Sequence, residues 1–176
     1  MIKTEDDEIL LKRAKELSKD ISVAQKDLVT ESKEFFSFVV NNIKYALDKS
    51  YIVELHPDVS PKKVPFTPNY IKGIVNIRGE ILSVTDLSAF FGNKPIESKE
   101  LYQMIRLKSN KIEFGIVVDN IVNVIQLKPN DVHPFAISGN STFEKFVRGV
   151  TKDMIHILNI ELLFSDSNII VDEVIS

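Results

Sequence analysis

The chain contains no cysteine, which removes disulfide bonds, thiolate catalysis and cysteine-ligated metal centres together. It has only six glycines, so few backbone positions can approach a ligand closely. Gly73 and Gly79 lie too far apart and flank a hairpin, whereas a phosphate cradle needs a strand leading into a helix. No nucleophile elbow, Walker loop or dinucleotide fingerprint is present. The three histidines, His56, His133 and His156, are far apart and none has a partner at metal-ligand spacing. His56 and His133 each precede proline and are expected in surface turns, with His156 half-exposed in a late hairpin. No apolar run reaches the roughly 20 residues that a membrane span requires. The acidic N-terminal run does not read as a signal peptide, so the cytoplasm is the expected location. A formal charge of -3 and a pI near 5.7 lack the excess of Lys and Arg that a nucleic-acid surface needs.

What is present is an ordinary globular composition: 176 residues, 44% hydrophobic and 27% charged, enough to bury a real core. Residues 1–32 read as an N-terminal amphipathic helix, with Thr4 as cap and Asp6, Asp7 and Glu8 in its first turn. Leu10, Ala14, Leu17 and Ile21 fall on one stripe. Either that stripe packs on the body of the same protein or Leu10, Leu17 and Ile21 form a docking helix for a partner.

From Phe35 the period becomes that of strands. Asn41-Asn42 marks a turn between two of them, and Tyr51 to Leu55 forms a third that ends at His56-Pro57. A proline-rich loop follows. Ile71–Ile77 and Glu80–Val84 then predict a hairpin turned at Arg78-Gly79, with Asp86 capping a short helix that Gly92 ends. Beyond a polar linker come strands at Tyr102–Leu107, Ile112–Val118 and Ile121–Leu127. A second loop leads to a last hairpin, Phe146–Thr151 with Met154–Leu158, and to a short helix starting at Asn159.

An internal repeat orders these elements. Tyr45-Ala46-Leu47 through Ile52-Val53-Glu54-Leu55 aligns without a gap onto Phe114-Gly115-Ile116 through Ile121-Val122-Asn123-Val124. Ile71-Lys72-Gly73-Ile74 matches Val147-Arg148-Gly149-Val150, and Val84-Thr85-Asp86-Leu87 matches Ile157-Leu158-Asn159-Ile160. Such a duplication predicts a mainly β protein of two small five-stranded barrels related by a pseudo-twofold. The expected division is one barrel from about 35–92 and another from about 101–165, with the tail 166–176 packing on the body.

The run Gly73-Ile74-Val75-Asn76-Ile77-Arg78-Gly79-Glu80-Ile81-Leu82-Ser83-Val84-Thr85-Asp86-Leu87 resembles the signature of the CheW family, the coupling proteins of bacterial and archaeal chemotaxis. The resemblance extends over roughly residues 33–165, in the family's order, and leaves the N-terminal helix outside. It implies two SH3-like five-stranded barrels. It also implies a non-catalytic adaptor without cofactor or metal, recruited to membrane receptor arrays. Its partners would be the cytoplasmic tip of chemoreceptors and the regulatory domain of the histidine kinase CheA. Carried over by position, Ile52, Glu54 and Arg78 would face the receptor, and exposed apolar positions such as Val122 and Val124 the kinase. Read from the residues alone, Arg78 is equally a solvated hairpin tip or a partner of Glu80 or Asp86, and Ile52, Val122 and Val124 are equally core. Two alternatives remain beside the chemotaxis adaptor: a scaffold of another kinase pathway, such as surface motility or second-messenger control, and a small ligand-binding or enzymatic barrel.

Overall fold

A computed structural model describes residues 31–134 and 141–169. The proposed N-terminal helix, with Leu10, Leu17 and Ile21, lies outside the described residues, as does the tail beyond Ile169.

Strand β1 (Lys33–Val40) turns into β2 (Ile43–Asp48) through Asn41 and Asn42, whose φ values are 48° and 64°. Two successive positive φ angles match the twist of a tight hairpin, and asparagine tolerates them. A 3₁₀ turn at Lys49–Tyr51 then leads into β3 (Ile52–Val59). The predicted Arg78-Gly79 hairpin forms from β4 (Ile71–Ile77) and β5 (Glu80–Asp86), followed by helix α1 (Leu87–Phe90). Strands β6 (Tyr102–Lys108), β7 (Glu113–Val118) and β8 (Asn120–Leu127) come next. The described chain ends with α2 (Thr142–Phe146), β9 (Val147–Val150), β10 (His156–Leu158) and α3 (Ile160–Ser165).

The ten strands make two five-stranded sheets, in the orders β8-β1-β2-β10-β9 and β3-β6-β7-β5-β4. Advancing each strand of the first sheet by one repeat gives the second, so the pseudo-twofold predicted from the repeat is present. The expected division into 35–92 and 101–165 is not. Each sheet takes two strands from one repeat and three from the other. The crossings are made at equivalent connections: Asp119 alone joins β7 to β8, too short for a two-residue hairpin loop, and the 3₁₀ turn Lys49–Tyr51 carries β2 into β3. At each the chain runs on into the other sheet, and its place is taken by the far repeat through the parallel pairs β2 with β10 and β5 with β7. Phe38, Tyr45, Leu47 and Phe146 from one side join Leu107, Phe114, Ile116 and Leu87 from the other in one buried cluster. Neither repeat can close that core alone. Ile169, the first part of the tail, is buried against it.

Strand β3 also runs further than expected, through Pro57 to Val59. It is an edge strand, and its ladder with β6 skips from His56 to Val59 at an irregularity. The missing amide of Pro57 therefore leaves no ladder bond broken. His56 is accordingly not in a surface turn: it pairs with Met104, and its side chain is only 15% exposed. Gly73 and Gly149, equivalent in the repeat, are each crossed closely by the preceding loop. A Cβ on Gly73 would lie 2.2 Å from the Lys62 carbonyl oxygen, and one on Gly149 2.6 Å from that of His133. These loops are pinned by the bridges Lys62 with Ile74 and His133 with Val150.

The predicted caps form. Asp86, fully buried, accepts from the Ala89 amide at 3.2 Å and from the Ile96 amide at 2.8 Å, with the Lys72 ammonium 3.4 Å away. Asn159, its counterpart, accepts from the Leu162 amide at 3.3 Å.

Candidate partner-binding site

At the tip of the β4–β5 hairpin, Arg78 has a φ of 54° and Gly79 one of 92°. The Asn76 side-chain oxygen accepts the Gly79 amide at 2.8 Å and closes the turn. A left-handed conformation costs a residue with a Cβ about 1–2 kcal/mol, so the turn alone does not account for an arginine there. The Arg78 side chain is 79% exposed, and one Nη donates to Glu54 Oε1 at 2.8 Å.

Glu54 projects from β3 and is the hinge of a larger charged cluster. Its second oxygen lies 3.4 Å from His56 Nε2 and 3.9 Å from an Nη of Arg106 on β6. Arg106 is buried; its other Nη donates to Glu80 and its Nε to Glu113. Glu113 also accepts from Lys108 at 3.0 Å. Three carboxylates thus face three permanent cations on one sheet, an arrangement in which a buried guanidinium is compensated. Hydrogen bonds to Glu80 and Glu113 push the Arg106 pKa up further. Burial works to raise the Glu113 carboxyl, but the bonds from Lys108 and Arg106 outweigh it and hold it below the ordinary range.

Glu54 and Arg78, which the resemblance assigns to one face, are in direct contact. The partners expected for Arg78 are engaged elsewhere: Glu80 by Arg106, and Asp86 by the α1 cap. Ile52 is half-buried and packs against the core, so its apolar surface is largely spent inside. The exposed apolar residues of β3 are its neighbours Val53 and Leu55. Val122 and Val124 are 50% and 42% exposed on β8, the edge strand of the other sheet, so they are not core. In the repeat they are the counterparts of Val53 and Leu55. Arg106 carries no motif; its signal is a charge set between the apolar Met104, Ile105 and Leu107, which requires buried partners.

An open groove of about 970 Å³ runs beside the start of β3, lined by Tyr51, Val53, Lys108, Ile112, Glu161 and Phe164. Tyr51 donates to Glu161 at 2.9 Å across it. Among the described residues, no group of three His, Asp or Glu side chains is placed to hold a metal ion. No described helix is long and apolar enough to cross a membrane.

The two interleaved sheets, with Arg78 and Glu54 in contact on one and Val122 and Val124 exposed on an edge strand of the other, set out the features by which the chain can be compared with known proteins. The CheW-like domain model matches residues 34–168, and the chain belongs to that family. It is 28% identical over 149 residues to the chemotaxis protein CheW of Klebsiella aerogenes, covering 82% of this chain and 90% of that one. It is 24% identical over 150 residues to a probable chemotaxis protein CheW of Rhizobium etli, covering 84% and 97%. The crystal structure of the scaffolding protein TtCheW from Thermoanaerobacter tengcongensis superposes with a TM-score of 0.67 at 30% identity, over 78% of this chain and 96% of that one. The fold is accordingly the family's pair of SH3-like five-stranded barrels, each built from strands of both repeats.

Proposed function

We propose that this protein is a non-catalytic adaptor that couples the cytoplasmic tips of chemoreceptors to the regulatory domain of the histidine kinase CheA, and is recruited through them to membrane receptor arrays. The observation that carries the reading is the exposed Arg78, held at a hairpin tip by Glu54 on one sheet. Val122 and Val124 lie exposed on the edge strand of the other sheet. A guanidinium with free donors suits the carboxylates and carbonyls of a receptor helix. An apolar edge suits a kinase domain that buries it. Ile52 contributes to the receptor side by supporting β3 from beneath rather than by exposed contact.

The test is capture of a soluble receptor-tip fragment and a CheA regulatory domain by the full chain, singly and together. Ternary capture by the native chain, reduced on the receptor arm in Arg78→Asp, is the expected result. Failure of the native chain to capture either partner would overturn the reading. Because the family match begins at residue 34, the stripe of Leu10, Leu17 and Ile21 supports a second reading, a docking helix that directs the same scaffold to another kinase pathway. Deleting residues 1–30 and repeating both captures separates the two.

A further inference from the structure

We infer that Arg106 is the positioning residue of the receptor-facing pair, an inference that rests on the receptor-binding reading of Arg78 and Glu54. It reaches both elements that carry that pair. On the hairpin side it holds Glu80, the first residue of β5 and only two positions from Arg78. On the β3 side it stands 3.9 Å from the Glu54 oxygen that Arg78 does not use. Its second hydrogen bond, to Glu113 on β7, anchors the guanidinium to the middle of the sheet. Its ladder partner on β7 is Gly115, so no side chain stands opposite it.

The consequence follows from exposure. Arg78 lies almost wholly in solvent, and a long exposed side chain held by one ion pair samples many rotamers. Arg106 is nearly enclosed and holds its partners in fixed directions through a planar fork. By bonding Glu80 at the base of the hairpin while its charge draws the Glu54 carboxylate, it narrows the positions that the Arg78 head can occupy before a partner arrives. Preorganisation of this kind raises affinity without adding a contact. In the other sheet the equivalent place holds Ser37 and Asn123, a neutral pair, so the device belongs to one face of the molecule.

The full chain carrying Arg106→Gln is tested against a soluble receptor-tip fragment and, separately, a CheA regulatory domain. Receptor affinity is expected to fall by about five- to tenfold, an interaction the size of ordinary coupling between neighbouring residues, while kinase-domain affinity stays unchanged. Arg106→Lys, which keeps the charge but loses the fork, should recover part of the loss. In an Arg78→Ala background, Arg106→Gln should cost nothing further on the receptor arm. That lack of additivity is what a merely structural role would not produce. Should Arg106→Gln fail to fold, Glu80→Gln, at a side chain 64% exposed, cuts the same tie at the hairpin and should lower receptor affinity in the same direction. Native receptor affinity in folded Arg106→Gln, or in Glu80→Gln where the first does not fold, overturns the inference, as does a full additive loss in the Arg78→Ala background. A native chain that binds no receptor fragment instead removes the functional reading, and this inference with it.

Discussion

Asn123 accepts a hydrogen bond from Ser37 at 2.7 Å, at the place in its sheet that Glu54 facing Arg106 holds in the other. The duplicated fold therefore keeps its backbone equivalence while its two faces differ in chemistry. One carries a buried guanidinium ringed by glutamates, the other a small neutral pair. A connector needs this difference, because two identical faces would not distinguish two partners.

The first prediction concerns Glu54 and Arg78 together. Arg78→Ala removes an exposed partner, so thermal stability should change by no more than about 1 kcal/mol, while receptor-tip binding falls at least tenfold. Glu54→Lys puts a third cation between Arg78 and Arg106 and should lower both binding and stability. The exchange Glu54→Arg with Arg78→Glu should restore stability more than binding, since the pair is remade but the exposed head has changed sign. Melting curves and binding titrations on the same four proteins check this; equal binding by native and Arg78→Ala chains would count against the assignment.

The kinase side rests on exposure. Val122→Asp and Val124→Asp place a charge on an edge strand that water already reaches, so the fold should tolerate each within about 1 kcal/mol. A desolvated carboxylate at an apolar contact is costly, and capture of the regulatory domain should drop at least tenfold with receptor capture intact. Loss on both arms together would place these valines elsewhere in the mechanism.

Local chemistry made much of this molecule legible from its residues. Arg78-Gly79 between two β-branched runs specified a hairpin, and Asp86 and Asn159 announced their helices, because turns and caps are decided within a few positions. The repeat was legible for the same reason. The division of strands between sheets was not, since Val84 pairs with Gly115 and Tyr45 with His156 across long separations that carry no local signature. His56-Pro57 reads as the end of β3, and its edge position with the irregularity after His56 explains how the strand continues past the proline. Arg106 was not picked out: a charge beside Met104, Ile105 and Leu107 was its one local signal, and its partners Glu54, Glu80 and Glu113 come from three other strands.

The close loop crossings give a prediction about stability alone. Gly73→Ala must push the Lys62 carbonyl from a distance of 2.2 Å, and its φ of 144° disfavours any side chain. A loss of about 3 kcal/mol or more is expected, by overpacking and backbone strain together. Gly79→Ala has open space but a φ of 92°, so it should cost only about 1–2 kcal/mol. Urea denaturation of both variants tests the order; a Gly73→Ala chain no less stable than Gly79→Ala would show that the loop moves aside freely.

Acid should act on the same sheet through Glu113. Its carboxyl is held below the ordinary value of 4.5 by Lys108 and Arg106 despite its burial. A group whose folded pKa is depressed contributes stability that is complete above its unfolded value and is lost as pH falls through the folded one. The contribution should therefore be intact at neutral pH and disappear on the acid side of 4.5. Glu113→Gln removes the titrating group while keeping a neutral acceptor for Arg106, so it should lower stability at neutral pH and flatten its decline in acid. Asp166, held down by Lys145 and by Asn168 against its own burial, titrates in a neighbouring range below 3.8 and serves as the internal control. In Asp166→Asn the acid slope should fall without any change in receptor binding, whereas in Glu113→Gln receptor binding should weaken too, because Glu113, unlike Asp166, helps to anchor the guanidinium behind Arg78. Urea midpoints across the acid range, paired with receptor titrations at neutral pH, separate the two carboxylates.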